Sequence, residues 1–192
     1  MNNLDKDTEN KLKAKALYYT KKGRPGWNYP HLLTAVYYMK ELLKSEPGNP
    51  KILIPAIYLH DIGYAGMLAK GYSYKEVSEV KKRHMIIGAQ MSEEILKEMG
   101  SFTNAEIKVI SHLVGIHDNL TEIIDDQAQL VFEADSLGQI DLDKVKPSFD
   151  NESYRKFFQN FVEERVPLFK TKTGKKYLTI LLSKVRIYVE NF

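Results

Sequence analysis

Apolar residues recur along most of the chain at the three- and four-residue spacing of an amphipathic helix, and no alternating strand pattern stands out. The first helix is predicted over residues 4–22, ending at Gly23 with Pro25 just beyond it. The second is predicted over residues 31–44. Its inward stripe consists of Leu32, Leu33, Val36, Met39, Leu42 and Leu43.

The third predicted helix, residues 51–62, is apolar on nearly every side, which indicates a position at the centre of a bundle. We expect Gly63 to end this helix by adopting the left-handed conformation. The fourth helix is predicted over residues 84–99, with Gly100 as its terminator.

The segment Thr103-Asn-Ala-Glu106 is typical of a capping box and predicts a fifth helix that runs to about residue 116. Pro167 separates two helices of the tail. The remaining helices are predicted at residues 127–137, 151–166 and 174–189. The pattern as a whole predicts an all-α fold, a compact multi-helix bundle.

The amino-acid composition excludes several classes of protein and of functional site. Of 192 residues, 43% are hydrophobic and 28% are charged, which excludes wholesale disorder, and a net charge of +3 is too small to indicate nucleic-acid binding. The absence of cysteine excludes disulfides, thiolate zinc sites, iron–sulfur clusters and a cysteine nucleophile.

No long apolar segment indicates a membrane or secretory protein. The first seven residues lack the apolar stretch of a secretory signal, and the longest strongly apolar run, residues 52–59, is interrupted by Pro55. A membrane helix needs about 18 such residues. We therefore expect a soluble, cytoplasmic protein that does not bind membranes.

One His-Asp pair stands out among the five histidines. His60 and Asp61 follow the most apolar predicted helix, so Asp61 is expected to be buried, and a buried carboxylate requires a partner or a bound cation. Neighbouring helical positions point about 100° apart. Both side chains nevertheless reach one ion that lies beyond the helix end, where Gly63 is expected. The pair therefore predicts a metal site.

These residues resemble the HD-domain superfamily of metal-dependent phosphohydrolases, in which a histidine, an adjacent His-Asp pair and a distant aspartate bind metal. The corresponding residues here are His31, His60, Asp61 and Asp135. The local sequence Leu-His-Asp-Ile-Gly-Tyr at residues 59–64 is similar to the central motif of the family. The segment Phe-Glu-Ala-Asp-Ser-Leu-Gly at residues 132–138 resembles the one that holds the last ligand.

Two further histidines fit a subgroup of the family with extra ligands. His84 and His117 resemble positions that bind a second ion in binuclear members, in which Asp61 would bridge the two. The resemblance runs from residue 31 to the C-terminus. It implies a single HD domain over residues 1–192, with its core at about residues 28–140, an N-terminal helix and a C-terminal helical extension.

A rival pair, His117-Asp118, lies late in the chain. It lacks a fully apolar helix ahead of it, and Asp135 is its only available terminal aspartate. His112 lies five residues before His117, about 140° around a helix, so we expect it on the surface or behind the ligands.

Nitrogen and carboxylate donors without sulfur suit Mn²⁺, Fe²⁺, Co²⁺, Ni²⁺, Zn²⁺ or Mg²⁺, as one or two ions. Such an ion lowers the pKa of water and withdraws charge from a phosphoryl oxygen, and Asp61 is placed to accept hydrogen bonds from that water. Cationic side chains at the pocket mouth would favour a phosphate ester. Lys81, Lys82 and Arg83 are the candidates, and a solvated helix start is the alternative.

Four further residues are weaker candidates for the site. Glu76 and Glu79 are placed in sequence to supply a general acid to the leaving group, although such glutamates commonly lie on the surface. Arg24 and Trp27 precede His31 and are candidates to line the pocket, with Trp27 stacking on a base. The alternative is that Trp27 is buried and anchors the first helix.

The leading functional hypothesis is a metal-dependent phosphohydrolase that acts on a nucleotide or another small phosphate ester. A binuclear-iron oxygenase is a second hypothesis, because the six-ligand set permits two irons. The third is a non-catalytic module that senses nucleotides. No specific nucleic-acid partner is indicated, and the helical tail offers a surface for a homodimer.

Overall fold

A computed structural model of the chain describes residues 4–191. The single-domain prediction also includes residues 1–3 and 192, which lie outside that range. The described part contains no β-strand, and its eight α-helices confirm the predicted all-α class. They are α1 (Lys6–Thr20), α2 (Asn28–Leu42), α3 (Pro50–Leu59), α4 (Tyr74–Met99), α5 (Asn104–Ile116), α6 (Asp126–Ile140), α7 (Asn151–Asn160) and α8 (Lys172–Glu190). In residues 4–191, no helix is both long enough and apolar enough to cross a bilayer.

Helix α3 occupies the centre of the bundle, as its sequence predicts. Every residue from Ile52 to Leu59 is buried, and the helix packs against α1, α2, α5 and α6. Asn49 caps its N-terminus, and Pro50 occupies its first turn, where the missing N–H costs nothing. The helix that precedes the His-Asp pair is therefore surrounded by other helices.

The end of α3 differs from the prediction. The helix stops at Leu59 instead of residue 62, and a short 3₁₀ turn, Ile62–Tyr64, follows. Gly63 does not adopt a positive φ. It is required for another reason, because a Cβ at this position would overlap the backbone carbonyl of His84 in α4. Gly63 thus lets the turn after the His-Asp pair lie directly against α4.

Helix α4 begins ten residues earlier than predicted, at Tyr74. Ser73 and Glu76 form a capping box, in which Ser73 Oγ accepts from the Glu76 N–H and Glu76 accepts from the Ser73 N–H. His84 consequently lies inside α4 and not at its start. The prediction that residues 81–83 stand at the start of this helix is therefore wrong.

Helices α5 and α6 complete the walls of the site. The Thr103 capping box starts α5 as predicted, and the helix ends at Ile116 so that His117 is its C-cap. Gly100, at φ 64°, ends α4 in the left-handed conformation. Helix α6 packs along α2 and is buried over nearly its whole length.

The chain returns to the bundle after α6 through α7 and α8. Between them, a π-helical turn, Phe161–Arg165, leads into a 3₁₀ turn that contains Pro167. Buried Glu133 of α6 ties down the start of α8 by accepting the backbone N–H groups of Lys170 and Thr171 at 2.7 and 2.9 Å. This connection places the side chain of Arg165 against Asp135 and Ser136 of α6.

Candidate metal centre

The six residues singled out as metal ligands meet in one buried cluster, contributed by α2, the ends of α3 and α5, and the interiors of α4 and α6. They are His31, His60, Asp61, His84, His117 and Asp135. In one half of the cluster, His31 Nε2 lies 3.0 Å from both His60 Nε2 and Asp135 Oδ1. In the other half, His84 Nε2 lies 3.3 Å from His117 Nε2.

Asp61 lies between the two halves and presents one carboxylate oxygen to each. Its Oδ2 is 3.7 Å from the Nε2 atoms of both His31 and His60. Its Oδ1 is 3.6 Å from His84 Nε2 and 3.7 Å from His117 Nε2. A carboxylate shared in this way is the arrangement of a ligand that bridges two ions.

Two of the histidines are oriented by the helix that carries them. His60 and His117 both follow the last turn of a helix, and each donates its Nδ1–H to a carbonyl three residues back, on Ile57 and Val114, at 2.8 Å. This bond turns the Nε2 atoms toward the cluster. It is the usual way in which a metal-binding histidine is held in one tautomer.

The other two histidines are held by stacking. The His31 ring lies 4.0 Å from the Trp27 ring, and the His84 ring lies 3.8 Å from the Tyr64 ring, both nearly parallel. Their Nδ1 atoms are buried without a hydrogen-bond partner among the described residues. Flat aromatic neighbours fix the rings while their Nε2 atoms point to the centre.

The donor set fits divalent metal ions. Each facing pair of Nε2 atoms has room for at most one proton between the nitrogens, and carboxylate oxygens of Asp61 and Asp135 lie beside them, so buried acceptor lone pairs outnumber the donors. Imidazole and carboxylate without thiolate suit Zn²⁺, Fe²⁺, Mn²⁺, Co²⁺ or Ni²⁺. His31, His60 and Asp135 would hold one ion, and His84 and His117 a second, with Asp61 shared.

The charges of the cluster shift its pKa values in opposite directions. Burial alone would lower the pKa of His60, but the carboxylates of Asp61 and Asp135 outweigh this effect and raise the pKa to about 9. Burial and the neighbouring His117 lower the pKa of His84 to about 3. Burial would raise the pKa of Asp61, yet His60 and Arg24 hold it well below its usual value. Without metal, His60 therefore carries a proton that an ion would displace.

Arg24 contacts the bridging carboxylate directly. Its Nη2 donates to Asp61 Oδ2 at 2.7 Å, and Asn28 Nδ2 donates to the same oxygen at 3.1 Å. Asn28 also accepts from the Arg24 Nε–H at 2.7 Å, which fixes the guanidinium. The orientation of Asp61 thus depends on the linker ahead of α2.

Arg165 plays the corresponding part beside Asp135. Its buried guanidinium donates to Asp135 Oδ2 at 2.8 Å, to Ser136 Oγ at 3.0 Å, and to the carboxylate of Asp118. Lys81 also contacts Asp118, at 3.2 Å. One oxygen of Asp135 therefore faces the histidines while the other is held by a cation.

A pocket with a cavity volume of about 90 Å³ opens from this cluster. Asp61, His117 and Asp135 line its inner end, beside Arg24 and Arg165. The outer part is built largely by residues 142–161. A small molecule in the pocket would contact the candidate metal centre directly.

Helix geometry decides which of the polar candidates on α4 reach the pocket. Lys81 lines it, on the same helix face as Tyr74, Val77 and Ser78. The neighbouring candidates point elsewhere, because successive residues are rotated by about 100°. Lys82, Arg83, Glu76 and Glu79 are exposed and do not line the pocket.

The two glutamates are not placed to act as general acids. Glu76 is used by the capping box, and Glu79 lies 3.8 Å from Lys75 on the outer face of α4. The pKa of Glu76 is lowered by its hydrogen bonds to the backbone and side chain of Ser73, which opposes the role of a proton donor at neutral pH. We therefore withdraw both from the candidate catalytic residues, along with Lys82 and Arg83 as candidate phosphate ligands.

Arg24 and Trp27 both line the pocket, but Trp27 has other contacts. The Arg24 guanidinium lies 3.5 Å from the centroid of the Trp27 ring, and His31 stacks on the same ring. Trp27 thus supports His31 and Arg24, so the predicted stacking on a substrate base does not follow from its position. His112 is exposed, in line with the surface position expected for it.

Arg165, Asn28 and Asp118 are the contacts of the site that sequence reasoning missed or set aside. Arg165 had one local signal, since it follows Phe157 and Phe161 at four-residue spacing and so continues the apolar stripe of α7. Asp118 belongs to the rival His-Asp pair. In the structure, Asp61 lies between the histidines, whereas Asp118 faces Arg165 and Lys81.

Comparisons with known proteins identify the family of the chain. Residues 28–139, more than half of the chain, match the family described as HD domain. Among curated proteins, none matches the chain significantly. A crystal structure of a predicted HD superfamily hydrolase from an uncultured Thermotogales bacterium is similar, with a TM-score of 0.61 and 18% identity, over 97% of this chain and 90% of that one. The chain belongs to the HD domain family.

Proposed function

We propose that the chain is a metal-dependent phosphohydrolase that acts on a small phosphate ester, such as a nucleotide. The observation that carries the proposal is the position of Asp61, which offers one oxygen to each of two buried groups of ligands. The pocket beside this carboxylate also contains three cationic side chains, Arg24, Lys81 and Arg165. These favour a phosphorylated substrate over the oxygenase alternative.

Divalent ions bound by the six residues would supply an acidified water and withdraw charge from a phosphoryl oxygen. The chain itself supplies the orientation of the ligands and the charge around them. Arg24 and Arg165 each hold a ligand carboxylate from behind and place positive charge at the inner end of the pocket. Lys81 is partly exposed and lies where a phosphate would enter.

The proposal is tested by assaying phosphate release after the metal is stripped and replaced. Wild type would be reloaded with Mn²⁺, Fe²⁺, Co²⁺, Ni²⁺, Zn²⁺ or Mg²⁺ and assayed on nucleoside monophosphates and 4-nitrophenyl phosphate. We expect His60→Ala and Asp61→Ala to lower kcat/KM at least 100-fold, because each removes a ligand of the reacting ion. His112→Ala removes an exposed histidine and should stay within twofold of wild type.

Three outcomes contradict the proposal. Turnover that persists undiminished in both ligand variants would place the reaction elsewhere. Two irons per chain with O₂ consumption and no phosphate release would favour the oxygenase. Thermal stabilisation by nucleotides without turnover of any ester would favour the sensing module.

The cytoplasmic location of the protein and its assembly as a homodimer stay predictions.

A further inference from the structure

The pocket has two chemically different ends. The inner end holds the candidate metal ligands and the cations Arg24 and Arg165. The outer end is lined by five aromatic side chains, which we call the aromatic wall: Tyr74, Phe149, Tyr154, Phe157 and Phe161. Trp27 and Tyr64 also line the pocket, at the inner end, but their rings are stacked on His31 and His84 and contact Arg24. The aromatic surface not already covered by the ligands therefore lies at the outer end.

The aromatic wall is a connected surface. Phe157 lies at its centre, with ring centroids 6.0 Å from Tyr74, 6.2 Å from Phe149, 5.6 Å from Tyr154 and 6.1 Å from Phe161. Tyr74, Phe149 and Phe157 are only half-buried, so part of their surface remains accessible. Aromatic surface left open in a concave site is typical of a pocket for an apolar ligand.

Polar groups near the aromatic wall are mostly neutral and already engaged with one another. Asn160 Nδ2 donates to Tyr74 Oη at 3.0 Å, and Ser148 Oγ lies 2.6 Å from Tyr72 Oη. Glu164 is the charged residue of this half of the lining, and it is exposed. The outer end is therefore poorly suited to a sugar or a second phosphate, which would require several free hydrogen-bonding groups.

From this division we infer that the organic part of the substrate is a planar aromatic ring, held by the aromatic wall while the phosphate reaches the cations. The inference deepens the proposed phosphohydrolase function and rests on it. Four of the five wall residues lie at positions 149–161, beyond the matched family region of residues 28–139. The selectivity is thus assigned to the C-terminal part of this chain.

Matched pairs of esters test the inference. Adenosine monophosphate and ribose 5-phosphate differ by the base alone. Benzyl phosphate and cyclohexylmethyl phosphate differ in the planarity of the ring, at similar size and with leaving alcohols of similar pKa. We expect kcat/KM to be at least 10-fold higher for the aromatic member of each pair. Equal values within both pairs would overturn the inference while leaving the phosphohydrolase proposal intact.

Variants of the aromatic wall should remove this preference selectively. Phe157→Ala and Phe149→Ala are expected to lower kcat/KM for adenosine monophosphate and benzyl phosphate about 10-fold, mainly through KM, since stacking on an aromatic side chain is worth roughly that much. Ribose 5-phosphate should change less than twofold. Tyr18→Ala, at an exposed position outside the pocket, is the control. An equal loss on all esters would indicate a structural effect and contradict the inference.

A binding measurement separates this inference from the proposed function. Trp27 is the only tryptophan of the chain and lines the same pocket, so its fluorescence reports occupancy. Phenylphosphonate should quench it at concentrations at least fivefold lower than cyclohexylphosphonate, and Phe157→Ala should abolish the difference. If no ester is hydrolysed but this preference holds, the phosphohydrolase proposal fails and the aromatic site stands. If the two phosphonates bind alike, the aromatic site fails.

Discussion

Asp61 shows how a single residue acquires its role from its exact place in the chain. It follows the last turn of α3 and bends away from helical geometry at φ −104°, ψ 6°, so its carboxylate turns toward four imidazoles. His60, one residue earlier, still has helical dihedrals and bonds back to Ile57. Adjacent residues thus reach one cluster because the backbone leaves helical geometry between them.

Gly63 is the residue that lets this bend lie against α4. We expect Gly63→Ala to cost about 1–3 kcal/mol of unfolding free energy, because the new methyl overlaps the backbone of His84 and the helix must shift. Metal affinity should fall as well, since His84 moves with its helix. Urea unfolding and metal titration measure the two effects.

Gly115→Ala is the matched control for this substitution. Its Cβ would meet only the Ala89 methyl group, at 3.3 Å, and α5 gains up to about 1 kcal/mol from the better helix former. Its stability should therefore remain within about 1 kcal/mol of wild type. A Gly63→Ala protein as stable as wild type would show that the contact with α4 is not tight.

Arg165 acts on the site through the carboxylates that it holds. Arg165→Lys keeps the charge but loses the fork that donates to Asp135, Ser136 and Asp118 together. Loss of such a supporting contact weakens metal binding by about 10- to 100-fold. Calorimetric metal titration checks this, with exposed Arg186→Lys as the control. Unchanged metal affinity in Arg165→Lys would mean that Asp135 is oriented without it.

At the scale of elements, α4 is the helix whose length determines the site. Because it begins at Tyr74, it places Lys81 at the pocket and His84 in the cluster on one continuous face. The neighbouring residues Lys82 and Arg83 lie on other faces of the helix and are exposed. Helix α7 adds a second contribution, since its stripe of aromatic residues ends in Arg165 through a π-helical turn. Such turns are often found at functional sites.

The capping box of α4 provides a prediction at this scale. Ser73→Ala removes the side-chain acceptor for the Glu76 N–H and should destabilise the protein by about 1 kcal/mol. Hydrogen exchange at residues 76–80 should accelerate, because the first turns of the helix fray. Ser183→Ala, at an exposed position inside α8, should be neutral. Unchanged exchange in the first turns of α4 would contradict the assigned start of the helix.

At the scale of the whole molecule, the buried charge of the cluster links stability to pH. The pKa of His60 is about 9 in the folded protein against 6.5 for an ordinary histidine, so its contribution is complete below pH 6.5 and is lost as the pH rises through 9. The pKa of His84 is about 3, so the unfolded chain gains its proton first and stability falls as the pH drops below 6.5. The metal-free protein should therefore be most stable near pH 6.5.

Bound metal should change this profile on the alkaline side. An ion displaces the proton of His60, so metal affinity rises with pH up to about 9 and offsets the alkaline loss of stability. Urea midpoints between pH 5 and 10, measured with EDTA and with saturating Mn²⁺, check the two curves. The control variant His112→Ala should show the same two pH profiles as wild type. An identical alkaline decline with and without metal would argue against proton displacement at His60.

Local patterns in the sequence were sufficient to predict the all-α class and most of the helices, but not the set of six clustered residues. Periodicity and capping are properties of a few neighbouring residues, so the central position of α3 and the capped start of α5 followed from them. His31, His60, Asp61 and Asp135 were identified by resemblance to a family, because no rule of spacing joins residues more than a hundred positions apart. The signal for the early start of α4, the capping box of Ser73 and Glu76, is equally local, but the predicted helix begins ten residues too late.

Tertiary structure alone decided what surrounds those ligands. The hydrogen bonds of Arg165 to Asp135 and the aromatic wall opposite the cations both join segments distant in the chain. Such contacts depend on how whole helices pack and on which side each helix faces. The sequence by itself determined which groups were available for chemistry, and packing determined which of them meet.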